Sequence, residues 1–244
     1  MEPTMNEEAI QKLRENRSFV IRQARMSPHQ KRAYERLAPQ YCVPFEGQED
    51  RGPLDWESLF ERTGARRILD IGFGMGLELA ELAQAHRDTD FLGVEVHKPG
   101  VGRLLGQIEE RELTNVRVVR YDAVVVCHQL IPRATLDGVH LFFPDPWPKK
   151  RHHKRRLVRP GFPELVAPLL TPTGYFYTVT DWEDYALQMR HVLDESPVLR
   201  NRYGDRFAPP QEWRPQTAFE RKGLEKGHQI FELVYERQDL GDRA

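Results

Sequence analysis

Four carboxylates follow short apolar runs that read as buried strands: Asp70 in "RILDIG", Glu95 in "FLGVEV", Asp122 in "VRYDA" and Asp145 in "LFFPDPWPKK". A lone acid at such a place is usually a turn residue, but three of these surround one glycine-rich loop, "LDIGFGMG" (69–76), and together they read as a binding site. Glu95 lies 23 residues after Gly72, where a strand-end carboxylate accepts hydrogen bonds from both hydroxyls of a ribose. Asp145 has a different setting. Prolines 144, 146 and 148 fix φ on both sides of it and stiffen the loop. Trp147 offers a stacking surface for a flat ring. Directly after it comes "KKRHHKRR", a dense positive run suited to a polyanion.

The glycine spacing bears on which ligand the loop takes. A dinucleotide fingerprint needs G-x-G-x-x-G, whose third glycine would stand at residue 77, which is Leu77. The D-x-G-x-G-x-G pattern of Asp70, Gly72, Gly74 and Gly76 instead resembles motif I of class I S-adenosylmethionine methyltransferases. That cofactor has no pyrophosphate to cradle. It needs glycines so that backbone can approach the adenosine and methionine chain, and it tolerates an acid such as Asp70 near its cationic amino group. Asp122, followed by a small residue, suits an adenine exocyclic amine.

These residues need a scaffold, and from residue 67 short apolar runs alternate with helical patterns. Strands are expected at 67–72, 90–96, 115–123, 138–143, 174–180 and 228–237, with helices at 77–87, 99–113, 124–131, 162–170 and 182–193. The alternation predicts a doubly wound α/β fold, a mostly parallel sheet with helices on both faces and ligands at the carboxyl ends of the strands. Residues 1–66 lack the alternation and are expected to form an N-terminal extension packed on a core of residues 67–244.

The net charge of −1 conceals a segregation. Residues 11–36 carry a net +6 and residues 149–159 a net +7, leaving −14 on the rest. The first segment, partly helical in pattern, is as readily a solvated face as a binding surface; in the second, no acid is interleaved. "MEPTMNEEAI" has neither a basic n-region nor an apolar h-region, so no secretory leader is expected. The longest apolar run, "AVVVC", is far short of the ~20 residues of a membrane span. Cys42 and Cys127 make neither a disulfide framework nor a zinc knuckle, which fits a reducing cytoplasm. His152 and His153 are too isolated for a metal site.

Taken together, "LDIGFGMG", "FLGVEVHKPGVG", "LFFPDPWPKKRHHKRR", "TDWEDYA" and "RPQTAFERKGLEKGH" resemble the bacterial tRNA (guanine-N7-)-methyltransferase family over roughly residues 66–237. "SFVIRQARMSPHQKRA" (18–33) resembles its leader. One departure is Asp70, where many members carry Glu; the charge is kept. The resemblance implies a seven-stranded Rossmann-like class I methyltransferase domain and S-adenosylmethionine as cofactor. It implies cofactor contacts at Asp70, Gly72, Gly74, Gly76, Glu95, Asp122 and Asp145, with catalysis at Asp145. It implies substrate contacts at Lys149, Asp181, Thr217, Ala218, Phe219 and Glu220, and RNA contact by Arg151, His152, His153, Lys154, Arg155 and Arg156. Thr217-x-x-Glu220 also reads as a helix capping box. The implied partner is tRNA, with no membrane, metal or obligate protein partner, and the implied target is a variable-loop guanine. Three rivals stay open on the residues alone: a nicotinamide dehydrogenase, a non-catalytic RNA-binding Rossmann-like module, and a methyltransferase for a small molecule or another RNA.

Overall fold

The structure, a computed structural model, describes residues 11–20, 25–47, 52–225 and 227–238, without the side chains of residues 218, 219 and 222. The chain divides into two compact units: residues 21–132 with 213–217, and residues 133–212 with both ends of the chain.

The first unit carries three parallel strands, β1 (Arg66–Ile71), β2 (Thr89–Val94) and β3 (Val116–Val119), in register Leu69 to Leu92 and Phe91 to Val116. Every residue of β2 is buried, as a strand flanked on both sides must be when helices cover its faces. Its one charge, Asp90, accepts from Arg62 Nε at 2.7 Å. The helices are α1 (Pro28–Tyr41), α2 (Trp56–Phe60), α3 (Leu77–Ala85), α4 (Lys98–Glu110) and α5 (Ala123–Gln129). Helix α1 opens with a complete capping box: Gln30 N donates to Ser27 Oγ, and Ser27 N donates to the Gln30 side chain. Strand β3 ends at Val119 rather than extending to residue 123, because Asp122 begins the next helix instead of closing the strand.

The second unit carries β4 (Leu136–Phe142) parallel to β5 (Leu170–Thr180), β7 (Phe231–Arg237) antiparallel to β5, and β6 (Leu199–Asn201) antiparallel to β7. Its helices are α6 (Phe162–Val166), α7 (Glu183–Asp194) and α8 (Ala218–Glu225), with a 3-10 turn at Lys150–Arg155 and helical residues at 11–15. Strand β5 starts four residues earlier than its apolar pattern announces. Its pairing with β4 jumps from Leu136–Leu170 to Gly138–Tyr175, so a bulge takes up the residues around Pro172. The helix expected to reach residue 170 tightens to 3-10 geometry at Ala167–Leu169, around Pro168. The strand order β3-β2-β1-β4-β5-β7-β6 is that of one seven-stranded, mostly parallel sheet. No helix among the described residues is long and apolar enough to cross a membrane.

Candidate active site

In the first unit the loop after β1 is shaped by its glycines. Gly72, Gly74 and Gly76 all take positive φ, at 73, 58 and 71°. Gly76 caps α3 in the left-handed region, and a β-carbon on it would stand 2.6 Å from that of Leu104. Gly100, in the first turn of α4, is required for a separate reason: a β-carbon there would run into the carbonyl oxygen of Gly74. A β-carbon on Gly72 or Gly74 would meet open space.

Three acids follow or close the neighbouring strands β1, β2 and β3. Asp70, the penultimate residue of β1, is only 3% exposed. Burial, and secondarily the charge of Glu95, pushes its carboxyl up to about 7. Glu95 stands one residue beyond β2. One oxygen accepts from Val96 N at 2.6 Å and His97 N at 2.8 Å, and the other accepts from Gly74 N at 3.0 Å. It therefore ties the glycine loop to the end of β2 before any ligand binds. Asp122 is the N-cap of α5, with Oδ1 accepting from Val124 N at 2.9 Å. Arg214, in the 213–217 return, approaches Glu78 of α3 at 4.0 Å. A buried acid with an elevated proton affinity, a fixed carboxylate and an open glycine turn thus form a cradle at the ends of β1 and β2. Among the described residues no group of three or more His, Cys, Asp or Glu is placed to hold a metal.

In the second unit, Asp145 stands exposed in the loop three residues past β4. Two residues on either side of it, Phe143 and Trp147 take φ of 49 and 47°, a conformation that bulky L-residues rarely adopt. Such strain persists only where the surroundings impose it. Here Phe143 N donates to Val179 O at 2.8 Å, and Trp147 Nε1 donates to Ser18 O at 3.1 Å. Arg155 covers the Trp147 ring at 4.3 Å, and the His152 ring meets it edge-on. The indole expected to stack on a base thus has a face occupied by the chain itself.

The basic run is divided in its roles. Lys149, Arg151 and Lys154 are exposed, while His152 and His153 are half-buried. Desolvation, then the charge of Arg151, Lys149, Arg155 and Lys154, holds His152 below the ordinary imidazole range. Arg155 donates to the carbonyls of Arg17 and Phe19. Arg159, to which no role was assigned from sequence, donates to the carbonyls of Lys12, Leu13 and Asn16, gathering the end of the N-terminal helical turn. Arg156 corrects the expectation of a uniform phosphate-binding run. It is 1% exposed. Its Nε donates to Pro146 O at 2.8 Å, its terminal nitrogens donate to Gln188 and Asp184, and its guanidinium lies 4.8 Å over the Tyr185 ring. It faces the interior and holds the carbonyl next to Asp145. The acceptor Asp184 and the ring of Tyr185 both stand in the "TDWEDYA" motif.

Asp181, one residue past β5, is half-buried and hydrogen-bonded to His228. Thr217 precedes α8, and Glu220 is buried in its first turn. The side chains of Ala218 and Phe219 lie outside the described residues.

The chain is similar to known methyltransferases. A family model described as "Putative methyltransferase" matches residues 65–233. A tRNA (guanine-N(7)-)-methyltransferase of Ralstonia nicotianae is 52% identical over 222 residues, covering 91% of this chain and 86% of that one. Its counterpart in Paraburkholderia xenovorans is 49% identical over 238 residues, 98% and 89% of the two chains. A solved structure titled as an antibiotic-related methyltransferase superposes with a TM-score of 0.50 at 17% identity, over 81% of this chain and 97% of that one. Both relatives match the chain nearly end to end, through the cradle and the Pro-Asp-Pro corner alike: the chain belongs to the tRNA (guanine-N7-)-methyltransferase family.

Proposed function

We infer that this chain transfers a methyl group from S-adenosylmethionine to N7 of a guanine in tRNA. The observation that carries the assignment of the chemistry is the Asp145 corner, an exposed carboxylate on a loop held in strained conformation by Val179, Ser18, Arg155 and Arg156. A loop pinned so heavily is built to present one group in one place.

The bound cofactor supplies an electrophilic methyl group on a sulfonium. The residues of the cradle fit it. Asp70 answers its cationic amino group, Glu95 its ribose hydroxyls, and Asp122 its adenine amine, while Gly72 and Gly74 let the backbone come close. Guanine N7 carries a lone pair and no proton, so attack needs no general base. What the protein provides is alignment and a charge opposite to the one that develops on the purine. Asp145 supplies that charge, and as an acceptor for N1–H and the exocyclic amine it selects guanine over adenine, which lacks that donor pair. Lys149, Asp181, Thr217, Ala218, Phe219 and Glu220 hold the nucleotide. Arg151, Lys154 and the histidines between them meet backbone phosphates. Arg155 grips the N-terminal segment and adds its charge to the phosphate-binding surface, whereas Arg156 stays inside as scaffold. The target is the variable-loop guanine, and the compartment is the cytoplasm, where the two free thiols, held protonated by burial at about 11 for Cys42 and about 12 for Cys127, stay reduced.

Labelled S-adenosylmethionine with an unmodified tRNA transcript, followed by chemical cleavage at N7-methylguanine, tests the reading. The expected product is one cleavage in the variable loop, lost with Asp145→Ala. Label incorporated without N7-specific cleavage would refute the assignment.

A further inference from the structure

The stretch "RKGLEKGH" continues beyond the substrate residues Thr217 to Glu220, and its last residue is built into the site by an ordered set of contacts. Helix α8 ends in a Schellman turn. Gly227, at φ 76°, donates its N–H to Leu224 O at 2.9 Å, and His228 N donates to Gly223 O at 2.9 Å. The left-handed residue at that turn favours glycine, and the reversal carries His228 back alongside the helix. There its Nδ1 lies 3.1 Å from Oδ2 of Asp181, the first residue after β5. Gly223 is part of the same arrangement: a β-carbon on it would stand 3.4 Å from that same oxygen, so a longer side chain would press on the carboxylate. The two glycines and the histidine therefore form one device around Asp181. One glycine clears the approach, the other turns the chain, and the imidazole closes on the carboxylate.

We propose that His228 is a positioning residue for the methyl-transfer reaction, holding one oxygen of Asp181 so that the other is presented to the tRNA substrate. The proposal rests on the reading above that Asp181 contacts substrate. An aspartate without such a partner samples more than one rotamer, and an acceptor that must be ordered during binding loses part of its value to that ordering. Because the cap of α8 is made by backbone groups, replacing the imidazole leaves the helix end intact.

The test measures kcat and KM for tRNA, S-adenosylmethionine affinity by calorimetry, and thermal melts, for His228→Ala, His228→Asn, Asp181→Ala and the double alanine variant. Loss of a hydrogen bond to a carboxylate predicts a roughly tenfold lower kcat/KM for tRNA in His228→Ala, with cofactor affinity unchanged. His228→Asn places an amide N–H near the position of Nδ1 and is expected to recover most of the loss. Adding His228→Ala to Asp181→Ala is expected to cost nothing further, since the histidine acts only through the carboxylate. If Asp181→Ala is impaired but the two losses multiply, or if the asparagine variant is no better than alanine, the positioning role of His228 is overturned. If Asp181→Ala alone keeps wild-type kcat/KM, the substrate role of Asp181 fails and the proposal falls with it.

Discussion

Replacing Arg156 by methionine separates the scaffold role of this residue from a phosphate-binding one. Methionine keeps the length and apolar bulk of the stem while removing every donor. The bond to Pro146 O contributes about 0.5–1.5 kcal/mol, and charge-assisted bonds such as that to Asp184 about 1.5–3 kcal/mol. Most of the Asp184 carboxylate is exposed, however, so water replaces the guanidinium there, and relief from burying a charge offsets part of the rest. The net loss of stability is therefore expected to be only about 1–2 kcal/mol, within reach of urea titration. Activity should suffer more. Phe143 and Trp147 each hold a conformation costing about 1–3 kcal/mol, and Arg156 holds the carbonyl between Asp145 and Trp147. Once that tie is cut, relaxation of even one strained residue removes the productive corner from most molecules. With tenfold in rate per about 1.4 kcal/mol, kcat is expected to fall roughly 10- to 100-fold. S-adenosylmethionine affinity is expected to be unchanged. Arg156→Lys should remain impaired, because an ammonium cannot span Pro146, Gln188 and Asp184 together as a planar fork does. A folded Arg156→Met enzyme with kcat within twofold of wild type would refute the reasoning.

Other consequences are open to measurement. With its carboxyl near 7, Asp70 is largely protonated at pH 6, and a cationic ligand favours the ionised form; S-adenosylmethionine affinity should rise up to about tenfold per pH unit below 7 and level off above it, with a proton released on binding. Asp70→Asn should flatten that profile; a flat wild-type profile would separate Asp70 from the amino group. The same raised carboxyl stabilises the ligand-free fold fully below about 3.8, and that contribution is lost as pH rises through about 7, so Asp70→Asn should gain stability relative to wild type at pH 8. Glu95→Ala should weaken cofactor binding by about 1.5–3 kcal/mol or more per lost charge-assisted bond, read by calorimetry, since it also frees the Gly74 amide. Arg151→Ala with Lys154→Ala should flatten the slope of log tRNA affinity against log salt by about 0.7–0.9 per lost contact, whereas Arg156→Met should leave the slope unaltered.

The glycine loop and the elements on either side of it were legible because their signals are local. The glycine spacing, the apolar runs and the acids after them lie within a few residues of one another, and β1, β2 and their helices fall within a few residues of their expected bounds. Asp122 differs from its reading in local structure: what looked like a strand end is a helix N-cap, its carboxylate accepting from Val124 N. Strand β6 left no periodic trace because it is three residues long and exists only through its pairing with β7.

The burial of Arg156 was not legible in the run that contains it. Seven cations within eleven residues look alike in sequence, and only partners far along the chain distinguish them: Asp184 and Gln188 lie 28 and 32 residues on. Those partners sit in or beside "TDWEDYA", which had seemed a second, separate motif. Through Arg156 the two motifs are halves of one clamp: the first turns of α7 hold the guanidinium, and the guanidinium holds the Pro146 carbonyl. This changes what the basic block means. A polyanion surface asks only for net charge, and lysine serves there as well as arginine. A buried fork with three fixed acceptors asks for arginine at one position and tolerates no neighbour in its place. Exchanging Arg155 and Arg156 for lysine one at a time should therefore have unequal effects despite their adjacency. The change at 156 should act on kcat, and the change at 155 chiefly on tRNA affinity and on the hold over residues 17–19.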